Sequence, residues 1–368
     1  MPAIKMVDLS RQYQEIKPEM DSAIQAVLDS TEFIMGKPVR EFEAALAKYL
    51  QVPQAIGCAS GTDALQVALM ALGVGPGDEV ITSPFTFVAT VETMVLLGAR
   101  PVFVDIEPQT YNLDPARISA RLTPRTRAII PVHLYGHPAD MDPILELARK
   151  SGLRVIEDAA QAIGAQYHGK WVGGLGDLGC LSFFPSKNLG AYGDGGAILC
   201  RENDLAERIR MIINHGSRTR YHHEILGVNS RLDSLQAAIL KVKLAHLERW
   251  TEARDRIAQR YLSGLSGLQL VLPTVLPQVR HVFNQFSIRC SCRDELAEFL
   301  KARGIATAVH YPKPLHQQPA YAGFHRDVSF PVAEAVSREI LSLPVFPEMT
   351  GEEVDFVVLS IREFFQQA

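Results

Sequence analysis

The chain has 368 residues, 47% of them hydrophobic and 21% charged, and 37 Lys and Arg against 41 Asp and Glu leave a formal net charge of −4. That composition is of a globular protein with room for one large domain and one smaller one, and it gives no electrostatic basis for nucleic-acid binding. No apolar run is long enough to span a bilayer and the opening MPAIKMVDLSRQY has no apolar signal core, so a cytoplasmic protein without membrane attachment is expected.

Taken in order, apolar residues at helical spacing over Leu9 to Leu28 (Ile16, Met20, Ile24, Val27) and over Val39 to Leu50 (Phe42, Leu46, Tyr49, Leu50) predict two packing helices. Short apolar runs then alternate with helical segments: AIGCAS, ALQVALMAL, EVITS, VATVETMVLLG, PVFVDI, ARISARL, AIIPVHL, DPILELARK and RVIEDAA. The alternation predicts an α/β domain with a mostly parallel sheet covered by helices on both faces. After Arg231, a long helical run passes through Leu232, Leu235, Ile239, Val242 and Leu247. A strand over Val282 to Arg289, a helix over Arg293 to Arg303 and a closing helix near Glu352 to Phe365 predict a smaller α+β domain. Residues 1–250 are assigned to the large domain and 251–368 to the small one. Cys58, Cys180 and Cys200 sit inside apolar strand-like runs and the total of five is odd, which argues for reduced core thiols rather than a disulfide framework. Cys290 and Cys292 are too close for ordinary zinc-knuckle spacing.

The stretch LSFFPSKNLGAYGDGGA, Leu181 to Ala197, sets Lys187 between an apolar run and a glycine-rich turn. Leu181, Phe183 and Phe184 read as the end of a buried strand stopped by Pro185, and Gly190, Gly193, Gly195 and Gly196 supply backbone freedom for a tight return. A lysine held there loses hydration, its pKa falls, and the free amine attacks carbonyls, as Schiff-base chemistry requires. Upstream, Ser60-Gly61-Thr62 follows a strand and opens a helix, a geometry that seats a phosphate on unpaired N–H groups. Asp158 in RVIEDAAQAIG lies at the carboxyl end of a parallel strand, where open α/β sheets bind ligands. A carboxylate there suits a protonated pyridine nitrogen, Gln161 one turn on suits a ring substituent, and Phe87 in SPFTFVAT suits stacking on an aromatic ring. Glu157 points the other way along the pleat and reads as structural. Each residue alone has an ordinary alternative: a surface lysine, an N-cap for Ser60, Thr62 or Asp158, a core phenylalanine.

Three motifs point elsewhere and fail on context. Residues 174–179 spell G-x-G-x-x-G, but a strand follows instead of the helix that dinucleotide binding needs. His133 and His137 have metal-like spacing, but Pro131, Gly136 and Pro138 argue against a helix and no third ligand is evident, so no metal is expected. His222-His223-Glu224 reads as a polar loop.

SGTDAL, TFVAT, VIEDAAQAIGA, SFFPSKNLGAYGDGG and GVNSRLDSLQAAIL, in this order, resemble the DegT-type nucleotide-sugar aminotransferases across nearly the whole chain. That family depends on pyridoxal 5′-phosphate (PLP) and has the aspartate-aminotransferase (type I PLP) fold. The resemblance implies that Lys187 carries the cofactor, Asp158 partners its ring nitrogen, Gln161 lies near the ring oxygen and Phe87 stacks on the ring. It further implies that Gly61, Thr62 and Ser182 bind the phosphate and that Asn229 reaches the cofactor phosphate of a neighbouring subunit, hence a homodimer with shared sites. In the loop NHGSRTRYHHEILGVNSRLD, Arg231 is expected to open a helix beside Asn229 and to bind a carboxylate or diphosphate, whereas Arg218 and Arg220 are equally readable as a solvated face. AVHYPKPLHQQPA, with His310, Tyr311, Lys313 and His316, resembles the segment lining the sugar pocket. L-glutamate is the implied amino donor. Within the family the chain most resembles enzymes that aminate C3 of UDP-2-acetamido-2-deoxy-3-keto-glucuronic acid for surface polysaccharide such as O-antigen, with Arg231 aided by His310 or Tyr311 on the uronate carboxylate. A dTDP-3-keto-6-deoxyhexose is the alternative substrate. A PLP-binding sensor without turnover is the alternative of another class, and sugar dehydratases of this fold carry histidine in place of Lys187.

Overall fold

The computed structural model describes residues 3–324 and 328–367. Its central sheet is made by β1 (Gln54–Cys58), β2 (Glu79–Thr82), β3 (Arg100–Phe103), β4 (Thr126–Ile129), β5 (Arg154–Asp158), β6 (Leu178–Ser182) and β7 (Gly196–Cys200), in the order β1-β7-β6-β5-β4-β2-β3. Neighbours from β6 through β3 are parallel, and β7 runs antiparallel to both β6 and β1. Successive strand residues point to opposite faces. Ile81, Ile129, Val155, Leu181 and Leu199 enter one core, and Val80, Ala128, Ile156, Cys180 and Ile198 the other.

α1 (Leu9–Ser30) lies against α7 (Ser234–Gly264); α2 (Lys37–Leu50), α5 (Met141–Ser151) and α7 cover the first face. α3 (Gly61–Ala71), α4 (Ala89–Leu96) and α6 (Asn203–Ile212) cover the second. Burial on both faces is why these strands read as unbroken apolar runs. The segment ARISARL departs from its expected helix. It forms two 3₁₀ turns, Pro115–Arg117 and Ser119–Arg121, with Asp114 accepting from the Ala116 N–H at 3.0 Å and the Arg117 guanidinium at 2.8 Å.

The second unit pairs β8 (Phe286–Arg289) antiparallel with β9 (Ile340–Leu343) under α8 (Arg293–Ala302) and α10 (Gly351–Gln367), while α9 (Pro331–Glu339) packs Ala333 and Val336 with Phe85 and Phe103 of the large domain. Residues 282–285, expected within that strand, are instead tied to the large domain by Val282 N–H to Gly136 O at 3.1 Å and Asn284 N–H to Tyr135 O at 2.9 Å. Its core joins Phe286, Ile288, Leu300, Leu343 and Val357 to Tyr261 from the last third of α7, and Ile4 from the start of the chain. The expected boundary at 250/251 thus falls inside α7, one helix serving both cores. Cys58, Cys180, Cys200 and Cys290 are buried free thiols. Among the described residues no helix is long and apolar enough to cross a membrane, and no group of three or more His, Cys, Asp or Glu is placed to hold a metal.

Candidate active site

A cavity of about 350 Å³ opens beyond the carboxyl ends of β5 and β6. From the large domain it gathers Gly61, Thr62, Phe87, Asp158, Gln161, Ser182 and Lys187, and from the small domain Gln285, His310 and Tyr311. Parallel strands deliver side chains to this edge, and a cleft where two units meet gives a ligand contacts on both sides.

Asp158 ends β5 and is only 5% exposed. Its Oδ2 accepts from Thr90 Oγ1 at 2.7 Å and its Oδ1 from the Ala160 N–H at 3.2 Å; behind Thr90 stands Thr86, with hydroxyl oxygens 2.9 Å apart. Burial pushes the carboxyl above its usual range, opposed by these two bonds and by the charge of Lys187. Adjacent on the strand, Glu157 is fully buried and faces away from the cavity. It accepts from the N–H groups of Gly173, Leu175 and Gly176, each at 2.7 Å, and pairs with His133 Nε2 at 2.9 Å. The glycine-rich segment 173–176 is therefore a clamp on β5, and His133 belongs to it.

Lys187 follows β6 in a turn closed by its own N–H to Phe184 O at 2.8 Å. Among the described residues no oxygen accepts from its Nζ. Burial pushes its ammonium down to about 8, with the negative charge of Asp158 opposing. The glycines after it answer to space rather than to unusual dihedrals: a Cβ on Gly190 would lie 2.2 Å from Pro185 O, and one on Gly196 2.3 Å from Ser60 O. Phe184, expected in the strand core, is 54% exposed and lines the cavity, because it continues the alternation on the side of Ser182 while Leu181 and Phe183 enter the core.

At the far end, Ser60 caps α3 by accepting from the Asp63 N–H at 3.0 Å, and Gly61 and Thr62 occupy the first turn, whose N–H groups have no intrahelical acceptor. A Cβ on Gly61 would sit 2.5 Å from Ser182 Cβ, so only glycine lets α3 start against β6. Phe87 is 54% exposed, its ring 6.3 Å from that of Tyr311, while Phe85 two residues earlier is the core residue. Gln161 spans the domains: its Oε1 accepts from the Tyr135 N–H at 2.7 Å and its Nε2 donates to Tyr311 Oη at 3.0 Å.

Asn229 and Arg231 do not line this cavity. Asn229 is exposed and bridged to Asn214, and Arg231 Nη1 donates to Asn214 Oδ1 at 3.4 Å. Arg231 does not open a helix either, because Asp233 bridges to Ile34 and the Ser234 N–H donates to Phe33 O at 2.9 Å, which keeps residues 231–233 extended. Sequence reading passed over Thr90, Gln285 and Tyr135. Thr90 lies one helical turn beyond Phe87 in TFVAT and was open to inspection; Gln285 and Tyr135 become neighbours of the site only through the domain contact.

The chain matches the model of the DegT/DnrJ/EryC1/StrS aminotransferase family over residues 14–362. It is 52% identical to a pleiotropic regulatory protein of Geobacillus stearothermophilus, with 99% of each chain covered. It is 49% identical to the UDP-N-acetyl-3-dehydro-alpha-D-glucosamine 3-aminotransferase of Acidithiobacillus ferrooxidans (98% and 97% covered). The UDP-2-acetamido-2-deoxy-3-oxo-D-glucuronate aminotransferase of Pseudomonas aeruginosa is 48% identical (97% and 99%), and the dTDP-3-amino-3,4,6-trideoxy-alpha-D-glucose transaminase of Streptomyces venezuelae 46% (100% and 97%). Among solved structures, S. venezuelae DesV superposes with a TM-score of 0.98 at 46% identity, covering 100% of both chains. Bacillus subtilis NtdA with bound cofactor PMP gives 0.90 at 33%, covering 96% of this chain and 82% of that one.

Proposed function

From the premise that this chain belongs to the DegT/DnrJ/EryC1/StrS family and is a PLP-dependent sugar aminotransferase, we propose that it moves an amino group from L-glutamate to C3 of a keto sugar nucleotide. The observation that carries this reading is one cavity holding Lys187 and Asp158 together with the open start of α3. Its residues fit the cofactor. Gly61, Thr62 and Ser182 form a cradle that a single extra Cβ would fill, matched to a phosphate at a helix N-terminus. Exposed Phe87 offers a ring face, Gln161 an amide edge, and buried Asp158 a carboxylate for the ring nitrogen.

PLP, when bound, supplies an electron sink for charge that develops at the donor's α carbon. Lys187 would hold the cofactor between turnovers, and its free amine would take a proton from the donor's α carbon and return it on the cofactor side. A lysine with a pKa near 8 is suited to both directions of that transfer near neutral pH. Asp158 keeps a proton on the ring nitrogen by its negative charge, and Thr90 and the Ala160 N–H fix its two oxygens. The two substrates use the same cavity in turn, so ping-pong kinetics are expected.

For the sugar, we favour UDP-2-acetamido-2-deoxy-3-keto-glucuronic acid and a role in surface polysaccharide synthesis. The relatives with UDP-linked 3-keto sugars at 48% and 49% identity support this reading. The dTDP-linked reading has comparable support from the 46% identical relative and the DesV superposition. The regulator name of the 52% identical relative keeps a PLP-binding sensor as the reading of another class, disfavoured by the intact Lys187 and Asp158. A homodimer with shared sites in the cytoplasm completes the proposal. Exposed Asn229 and the neighbouring Arg231, which do not line their own chain's cavity, would then serve that of a second copy. A panel of keto sugar nucleotides assayed with L-glutamate tests the assignment: amination of the UDP-uronate supports it, and preference for a dTDP-deoxyhexose overturns the substrate. No turnover with any sugar, and a cofactor spectrum unmoved by amino acids, overturns the enzyme reading.

A further inference from the structure

Lys243 is wholly buried in α7, and among the described residues no carboxylate bonds its ammonium. Its Nζ donates to Gly190 O at 2.6 Å and lies over the face of Tyr192, 4.7 Å from the ring centre. A buried charge without a bonded counter-ion is costly, so the contact it does make is informative. Burial pushes the ammonium down to about 8, with the charge of Glu348 opposing; below that pH it is mostly protonated and its bond to the carbonyl is charge-assisted.

Gly190 closes the turn that carries Lys187. A Cβ there would lie 2.2 Å from Pro185 O and 3.0 Å from Phe184 O, and Phe184 O is the acceptor of the Lys187 N–H at 2.8 Å. The backbone of Gly190 is thus packed on the first limb of the turn, and whatever holds Gly190 holds Lys187. The return limb is secured again at Ala191, whose N–H donates to Phe183 O at 2.7 Å, and at Tyr192, whose N–H donates to Gln236 Oε1 at 2.9 Å. Gln236 and Lys243 stand about two turns apart on α7. On the other side Asn188, 5% exposed, donates through Nδ2 to Val282 O at 2.9 Å, and the Val282 N–H donates to Gly136 O at 3.1 Å. A carbonyl only accepts, which fixes the orientation of the Asn188 amide. We propose that Lys243, Gln236 and Asn188 are positioning residues that clamp the turn between α7 and residue 282 and so hold the Lys187 amine in the cavity wall, short of water. The titratable groups facing Lys187 are Asp158, whose charge favours the ammonium, and His310 from the small domain. A turn that loosens lets water reach the amine and returns its pKa toward that of an ordinary lysine. Loss of the Lys243 charge would push the same way, so neutral Asn188 separates the two causes. The inference concerns the lysine on which the aminotransferase reading rests, and its test needs no cofactor.

Full-length, cofactor-free protein is acetylated with trace acetic anhydride from pH 6 to 11, and mass spectrometry of the Lys187 peptide gives the midpoint of that amine. Wild type should titrate at about 8. Lys243→Met and Asn188→Leu should each raise the midpoint by about 1 pH unit. That shift lowers the free-amine fraction at pH 7.5 by ~8-fold. If Lys243→Met does not fold, Gln236→Leu, which frees the Tyr192 N–H on the same limb, takes its place. Variants that melt earlier with the midpoint unmoved would make these side chains structural only and overturn the proposal. A shift in Lys243→Met without one in Asn188→Leu would report a lost neighbouring charge and overturn it as well. Shifts in both variants of a protein that takes up no PLP on Lys187 would refute the functional reading and leave the clamp standing.

Discussion

Replacing Asp158 by Asn should move two readouts in opposite senses. The substitution keeps the side-chain shape and can keep both contacts: its Oδ1 stays on the Ala160 N–H, and the Thr90 hydroxyl turns to donate to Thr86 and accept from the new amide, so stability should fall by less than the about 1–3 kcal/mol of an unmade buried bond. It also removes the one charge that holds the Lys187 ammonium up against desolvation. With a pKa of about 8, roughly a quarter of Lys187 is free amine at pH 7.5, against about 0.1% for an ordinary lysine, a ~200-fold gain in nucleophile. In Asp158→Asn the midpoint falls further, and the free-amine fraction at pH 7.5 rises toward one, up to ~4-fold. Turnover moves the other way, down by roughly 10²–10⁴-fold, because the ring nitrogen loses its anionic partner. Stopped-flow absorbance of cofactor capture by the cofactor-free protein, at saturating PLP from pH 6 to 10, gives the midpoint, and 2-oxoglutarate release gives turnover. A midpoint near 10.5 in wild type, an upward shift in the variant, or unchanged turnover would each refute the reasoning.

Lys243 is buried in α7, donates to Gly190 O at 2.6 Å and is pushed by burial down to about 8, as Lys187 is. Folded lysines with depressed pKa values hold fewer protons than unfolded ones between pH 8 and about 10, so the cofactor-free protein should gain stability as pH rises through that window. Lys243→Met should flatten the rise in urea-melt stability, and an unchanged slope would show that Lys243 is not the source. Gly61→Ala should abolish PLP retention on desalting, since the new Cβ meets Ser182 at 2.5 Å; full retention would move the phosphate elsewhere. Glu157→Gln should lower the thermal midpoint of the cofactor-free protein, by ~1–3 kcal/mol in stability, as the clamp on residues 173–176 loses acceptors; a melt matching wild type would make the clamp dispensable.

The large domain was legible because its strands are buried on both faces and its helices amphipathic, so composition and period carried the pattern. Lys187, Asp158, Thr62 and Phe87 were legible as residues at or just beyond strand and helix ends, and the structure brings them into one cavity. What the sequence hid depends on pairings across the chain. The extended segment before α7 is set by Ile34 opposite Asp233, and the strand start after Gln285 by Tyr135 and Gly136. The glycine motif at 174–179 looked like a nucleotide fingerprint, whereas its N–H groups, with that of Gly173, serve Glu157. That Ser342 both meets His310 Nδ1 at 2.9 Å and pairs with Ser287 requires knowing that positions 287 and 342 face each other, which no local pattern reveals.

The most direct measurement is reductive trapping. PLP-loaded enzyme is treated with borohydride and digested, and the peptide that carries the phosphopyridoxyl mass is sequenced. Among the described residues two buried lysines are pushed down to about 8, and of these Lys187 lines the cavity with Asp158, while Lys243 is turned to Gly190 O and the face of Tyr192. The label is expected on Lys187 alone and absent from Lys187→Ala; a label on Lys243, or on any lysine outside the cavity, would contradict the assignment of the site.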